Sequence, residues 1–478
     1  MLVVLGFAMI ALFMYLVMAK KATPIATLIL VPLIFGLFTG AGLGLGDMVI
    51  ESTVKLAPTA ALLFFAIIFF GTMIDVGLFD PLIRAILRFA GNDPMKLVIG
   101  TALLTSIVSL DGDGSTTFII VTSAFLPLYL RLGMSPVVLT VVAALSNGVL
   151  NTVPWGGSTA RAAAALNVSP IDIFVPMIPA IASGLATVLV LAYFLGRSER
   201  KRLGEVHLDD SRGVLGLRIN ETVTVGAGAG AAAGSSTAHG GGHVHAPGSS
   251  VVIANDFSAS FTEDGQFIER PNARPKLVWF NFALTMAVMT LLVMDLMPPA
   301  VIFMTAVGIA LVLNFPKVTE QSAQIKAHAS SVISVVGMVF AASVLTGVMN
   351  GTGMVEAMAE WLVGIVPEPL GPFMAVIAGV LSIPLTFIMT NDAFYFGVLP
   401  ILSETAGHFG IEPVQMARAA LVGQALHQSS PLVASFLLLI GLANVSLGEH
   451  FKKVIWRGAI AAAVMLVIGG LTMAYPLF

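Results

Sequence analysis

The stretch Ser109-Leu110-Asp111-Gly112-Asp113-Gly114-Ser115-Thr116-Thr117-Phe118 sets two aspartates and two glycines between long apolar runs. The chain around it is 57% hydrophobic and 10% charged, with mean hydropathy +0.97, so most of its residues cannot face water. Apolar runs of roughly 17 to 25 residues recur, each long enough to cross about 30 Å of hydrocarbon as a helix. The short alternating strands of a membrane barrel are missing from the pattern. A turn made inside a membrane leaves peptide groups without helical partners, and is tolerated only against protein or a wet cavity. Gly112 and Gly114 permit such a turn, while Asp111, Asp113, Ser115, Thr116 and Thr117 suit the capping of a half-helix that follows. The stretch therefore reads as the tip of a re-entrant hairpin, about 97 to 128, in an all-α integral membrane protein. One reading of its acids is a capped turn and nothing more; the other is a substrate or ion path, because intramembrane acids are costly.

The net charge of -3 and a pI near 6.2 exclude a nucleic-acid protein, since no basic face appears. Without cysteine there is neither a disulfide nor a thiolate site. The N-terminal run Met1 to Ala19 has no basic residues ahead of it, and Lys20 and Lys21 come after it, so it reads as a first span with its start outside. Arg84, Arg88, Lys96, Arg131, Arg197, Arg200, Lys201 and Arg202 then join Lys20 and Lys21 on the cytoplasmic side, provided the hairpin returns to the side it enters from. Lys317, Lys326, Lys452, Lys453 and Arg457 fall inside as well if about 370 to 402 is a second hairpin, entering from outside. Both termini are then outside.

The halves also match in sequence. GTMIDVGLFDPLI at Gly71 aligns with GVMNGTGMVEAMA at Gly347, and Pro136 with Pro413 and Pro154 with Pro431 share one spacing. Residues 1–196 and 276–478 therefore read as two repeats of about five spans plus one hairpin each; an odd number of spans sets them in opposite directions, the architecture of secondary transporters. Between them, 197–275 reads as a cytoplasmic linker whose Gly/Ala/Ser tract is too poor in bulky apolar residues to build a core. His239, His243 and His245 in it fit either metal binding or a solvated tether. Asp75 and Asp80 sit near the inner end of a span, where structural capping is expected.

Each hairpin precedes a helix broken at its middle, about 136 to 165 and about 413 to 440. In the first, Asn147, Asn151, Thr152, Pro154, Gly156 and Gly157 interrupt an apolar span, followed by Ser158 and Thr159. In the second, Gln424, His427, Gln428, Ser429 and Ser430 precede Pro431. Asn147 corresponds to Gln424 and Asn151 to Gln428, while the second tip carries Thr390, Asn391 and Asp392. Two tips and two breaks can converge on one site, with half-helix N-termini toward an anion and carbonyls, hydroxyls and carboxylates toward a cation. Arg161 either pairs with a substrate carboxylate, or snorkels to the outer interface or pairs with Asp172.

Three decoys fall away. DGDGST resembles the start of a calcium-binding EF loop, but the required glycine and glutamate are Thr116 and Thr122. An intramembrane aspartyl protease carries G-x-G-D, whereas Gly112 to Ser115 read G-D-G-S. The glycines of FTGAGLGLG, Phe38 to Gly46, follow no strand, so a phosphate cradle is not indicated. Enzyme chemistry is not expected.

LFFAIIFFGTMIDVGLFDPLI (63 to 83), SLDGDGSTTF (109 to 118), NTVPWGGSTARAAA (151 to 164), TNDAFYFGVLPIL (390 to 402) and HQSSPLVAS (427 to 435) together resemble the CitMHS family of metal–citrate transporters, over nearly the whole chain except the linker. The resemblance implies an elevator-type fold of the ion transporter superfamily, a homodimer, and a place in the bacterial cytoplasmic membrane. It implies proton-driven uptake of citrate complexed to a divalent cation of the Mg²⁺ or Ca²⁺ class as co-substrate, with no resident cofactor. Related sodium-coupled dicarboxylate carriers have Ser-Asn-Thr at both tips; the acids here fit a metal-bearing substrate instead. On that reading Asp111, Asp113 and Asp392 contact metal or carry the proton, with His427 a second proton candidate. Ser115, Thr116, Thr117, Asn147, Asn151, Thr152, Gly157, Ser158, Thr159, Arg161, Thr390, Asn391, Gln424, Gln428, Ser429 and Ser430 hold the anion. Transport of another organic anion coupled to sodium or protons, and sodium–proton antiport, remain the alternatives.

Overall fold

A computed structural model describes residues 1–19, 21–90, 93–112, 114–203, 272–294 and 296–477. Asp113 and most of the linker, with its three histidines, lie outside the described residues. Within them the regular elements are all helical: α1 Leu2–Met18, α2 Pro24–Phe38, α3 Leu45–Asp75, α4 Asp80–Ala90, α5 Pro94–Val108, α6 Gly114–Arg131, α7 Pro136–Leu150, α8 Gly157–Leu166 and α9 Pro170–Leu203. After the linker come α10 Val278–Met294, α11 Pro299–Asn314, α12 Val318–Ala327, α13 Ala329–Gly351, α14 Met354–Val363, α15 Met374–Ile388, α16 Leu399–Gly407, α17 Pro413–Ala420, α18 Gln424–His427, α19 Ala434–Leu442 and α20 Leu447–Leu471. Seven helical stretches among the described residues are long and apolar enough to cross a membrane, and α1, α2, α7 and α11 are shorter apolar helices.

Local signals set several starts. Thr23 caps α2 and Asp93 caps α5, its carboxylate accepting from the Met95 N–H at 2.9 Å, each with proline at the first helical position. α5 and α6 form a helix–turn–helix unit from Pro94 to Arg131, and α15 and α16 form another, joined through one π-helical segment, Ala393–Val398.

Two apolar cores organise these helices. One gathers α1, α2, α3, α11, α13 and α14; the other gathers α5, α6, α7, α9, α15, α17, α19 and α20. Lipid tails are as apolar as leucine, so helices in hydrocarbon associate through small residues and interhelical hydrogen bonds, the latter averaging about 0.6 kcal/mol. The α3–α13 crossing fits that rule. A Cβ on Gly347 would lie 2.6 Å from the Met48 carbonyl oxygen, and the hydroxyl pairs Ser52–Thr346 and Thr53–Ser343 sit at 2.8 Å each. Asn281 and Asn314 exchange two amide hydrogen bonds of 2.9 Å between α10 and α11. Asp75 ties helices together where capping was expected: its carboxylate accepts from Gln324 Nε2 at 2.5 Å and lies 3.0 Å from His328 Nε2, joining α3 to α12 and α13.

Candidate functional site

Both helix–turn–helix tips meet both helix breaks. Asp111 ends a 3₁₀ turn over Ser109–Asp111 and is buried, and Gly112 follows at φ +80°, a left-handed conformation that glycine adopts freely. The tip is pinned to the first break by Trp155, whose Nε1 donates to the Leu110 carbonyl at 2.7 Å. Trp155 in turn stacks on Phe70 with centroids 4.3 Å apart and meets Phe303 edge-on at 5.4 Å. This apolar wall belongs to the α3 and α11 side, so one tryptophan joins the break to the other bundle.

An amide chain runs behind the first tip. Asn147 Nδ2 donates to Ser109 Oγ at 2.9 Å, and Gln428 Nε2 donates to Asn147 Oδ1. A Cβ on Gly114, the first residue of α6, would lie 2.8 Å from Ser435 Oγ and 2.9 Å from Gln428 Nε2, so this half-helix N-terminus abuts the second break. α7 crosses α18 at Gly148, where a Cβ would lie 2.6 Å from the Gln424 carbonyl oxygen. Of the remaining tip residues, Ser115 and Thr116 are half-buried on the first turn of α6; Thr117 is fully buried and its hydroxyl has no hydrogen-bond partner.

The breaks and the second tip satisfy each other's orphaned peptide groups, which any helix end must do. α15 stops at Ile388 because Met389 turns extended, at φ −127° and ψ 167°. The carbonyls left at its end are taken by the second break: His427 Nδ1 donates to the Thr386 carbonyl at 2.5 Å and Ser430 Oγ to that of Phe387 at 2.6 Å. In the first break Thr152, Ser158 and Thr159 donate to the carbonyls of Val149, Asn151 and Thr152 at 2.7, 2.9 and 3.0 Å. These hydroxyls have spent their protons on the backbone, which leaves oxygen lone pairs as their remaining chemistry. Asn151 is buried in the same break. Gly156 has no room for a side chain, since a Cβ would lie 2.3 Å from the Asn151 carbonyl oxygen; Gly157 starts α8 and offers its carbonyl to Arg161 Nη1 at 2.8 Å.

At the second tip Thr390 Oγ1 accepts from the Ala393 N–H at 3.2 Å, a cap on the following half-helix. Asn391 and Gln424 exchange amide hydrogen bonds of 3.3 and 2.9 Å, and Gln424 Nε2 also donates to the Tyr395 hydroxyl at 2.9 Å. Arg161 Nε on α8 donates to Asp392 Oδ1 at 2.5 Å. Of the alternatives for Arg161, pairing with Asp172 is not the one taken: the Asp172 backbone carbonyl is held by Arg418 at 3.0 and 2.7 Å, and Arg161 reaches the opposite tip. The geometry brings together Asn147 with Gln428, Asn391 with Gln424, and Arg161 with Asp392.

Several participants escaped the sequence reading. Ser109 stood in the stretch already singled out, and Tyr395 two residues past the tip's Ala393. His450 lies on α20, far along the chain, with Nδ1 3.0 Å from Thr140 Oγ1 and Nε2 3.2 Å from Ser429 Oγ. A histidine inside a 25-residue apolar helix was the available signal.

Two discontinuous helices and two helix–turn–helix tips meeting around amides, hydroxyls and one ion pair are the arrangement of a membrane transporter. The fold is similar to the crystal structure of the YdaH transporter of Alcanivorax borkumensis, with a TM-score of 0.55 and 13% identity over 88% of this chain and 86% of that one. The CitMHS citrate transporter family matches residues 1–423, and the chain belongs to it. Its relatives include two Bacillus subtilis proteins: a citrate transporter, 44% identical over 98% of both chains, and a Mg(2+)/citrate complex secondary transporter, 41% identical over 99% of this chain and 100% of that one. A third, an uncharacterized transporter of the same bacterium, is 39% identical over 99% of each. The chain is accordingly a multi-pass membrane transporter and not an enzyme.

Proposed function

We propose that this protein takes up citrate as a complex with a divalent cation of the Mg²⁺ or Ca²⁺ class, in symport with protons. The observation that carries this reading is the Arg161–Asp392 pair at the meeting of tips and breaks: one group suited to a carboxylate and one suited to a hard cation, side by side. Membership of a citrate transporter family and the name of one relative support it. Free citrate would enter as a trianion at a large desolvation cost, whereas its complex with one divalent ion carries a single net negative charge. Asp392 contacts the metal or carries the proton, as do Asp111 and Asp113 of the first polar stretch, and His427 is the second proton candidate. The amides and hydroxyls of the breaks hold the carboxylates. Two inverted repeats supply two alternative openings around one site, and the transporter works as a homodimer.

The test is labelled citrate uptake into proteoliposomes under an imposed pH gradient, with Mg²⁺, Ca²⁺, Zn²⁺ or a chelator. Gradient-driven uptake that needs a divalent ion is the expected result. Uptake that persists with chelator, or that requires sodium, overturns the metal–citrate proton symport.

A further inference from the structure

Arg161 and Asp392 come from opposite sides of the site, α8 of the first half and the second tip of the other, yet form one ion pair at 2.5 Å. The pair is only partly buried: the side chains keep 24% and 11% of their surface exposed. Its ends are anchored differently. Arg161 is also fixed to its own helix through Nη1 and the Gly157 carbonyl, while Asp392 sits beside Thr390, Asn391 and Ala393 in the tip that Gln424 and Tyr395 hold. His427, hydrogen-bonded to the Thr386 carbonyl, stands in the second break beside that tip.

We propose that metal–citrate enters by an exchange of partners across this pair, and that the exchange is what selects the complex over its parts. In the empty protein Asp392 occupies the place of a substrate carboxylate on Arg161, and Arg161 occupies the place of a cation on Asp392. The complex replaces both at once: a citrate carboxylate takes the guanidinium and the metal takes the Asp392 oxygen. Each half alone leaves a charge stranded. Free citrate on Arg161 sets a polyanion against an unpaired carboxylate, and a free divalent ion on Asp392 sets it against an unpaired guanidinium. In a low-dielectric site a charge that loses its partner is strongly destabilised, so neither half binds well. No covalent step is involved, and net charge in the site changes only by that of the complex.

This inference rests on the metal–citrate reading, and its test separates the two. The full-length protein is titrated by calorimetry in detergent with Mg²⁺ alone, citrate plus chelator, and Mg²⁺ with citrate. The readout is the preference for the complex over chelated citrate. In Asp392→Asn that preference falls by about tenfold or more, the worth of one charge-assisted contact, while Asp392→Glu keeps it. In Arg161→Gln the affinity for Mg²⁺ alone rises by about tenfold, because Asp392 loses its competing partner, and citrate binding is lost. An ion pair that only braces the fold would lower all affinities together, and an unchanged preference in Asp392→Asn overturns the exchange. If Asp392→Asn does not fold, an unchanged Mg²⁺ affinity in Arg161→Gln overturns it equally. Wild-type protein that binds citrate equally with and without chelator defeats the metal–citrate reading itself.

Discussion

The His450 imidazole faces Ser429 with Nε2 3.2 Å from the serine oxygen, which places a buried histidine directly behind the second helix break. Its other nitrogen is 3.0 Å from Thr140 Oγ1, and the Thr140 hydroxyl donates to the Val137 carbonyl at 3.0 Å. Thr140 therefore accepts from Nδ1–H, and the neutral ring accepts from Ser429 at Nε2. The chain of donors runs one way, and Ser429 is left with lone pairs only.

The first prediction follows from that direction. His450→Phe keeps a ring but removes both hydrogen bonds, which leaves the buried Ser429 hydroxyl unpaired at a cost of about 1–3 kcal/mol. Uptake should show KM raised roughly tenfold or more with a smaller change in Vmax. Thr140→Val, which touches the ring and not the break, should move KM the same way by a smaller factor. If Thr140→Val leaves KM untouched, the orientation of Ser429 does not depend on the chain.

The order of residues carries one part of this site and not the other. The tips and breaks were legible because polar residues and prolines are costly inside apolar helices unless they turn the backbone or serve a site, and because the halves repeat them at one spacing: Asn147 with Gln424, Asn151 with Gln428. Pairing across the halves was not legible. Nothing in the order of residues says that Asn147 takes Gln428 as partner, or that Arg161 turns to Asp392 rather than to nearby Asp172. The first choice is made by how α7 crosses α18 at Gly148, a residue whose meaning lies in the space beside it, and the second by how α8 packs against the second tip.

The second prediction concerns that crossing. Gly148→Ala puts a methyl 2.6 Å from the Gln424 carbonyl oxygen, a backbone atom that cannot yield cheaply. Overpacking of this kind costs about 1–3 kcal/mol. The expected outcome is protein that still inserts but melts earlier and loses most uptake, because Gln424 holds the second tip through Asn391. Wild-type uptake by Gly148→Ala would show that the helices part without cost.

A third prediction tests the amide chain. Asn147→Ala removes the group that links Ser109 to Gln428, and both of those sites are buried. Two unpaired polar groups should lower citrate affinity by more than Ser109→Ala alone, which removes one acceptor. A double-mutant cycle on Ser109 and Gln428 should then show coupling that vanishes in the Asn147→Ala background. Additive effects in both backgrounds would mean that tip and break act independently.

The last prediction concerns orientation, and the composition makes it simple to test. The chain contains no cysteine, so a single introduced thiol reports one position. Lys20 and Lys21, the cluster at Arg197 to Arg202, Lys317 and Lys326 are expected on one side, which the positive-inside bias would make cytoplasmic. Helix α2 then leads outward to Leu43, α12 lies inside, and α20 returns outward to Met473. Leu43 and Met473 are 100% and 82% exposed and Val318 is 75% exposed, so all three positions are reachable by reagent. A membrane-impermeant maleimide should label Leu43→Cys and Met473→Cys in intact cells, and Val318→Cys only after permeabilisation. The two halves must give this answer together: if Leu43 and Val318 label from the same side, the second repeat is not inverted relative to the first, and alternating access around a site built from both loses its geometric basis.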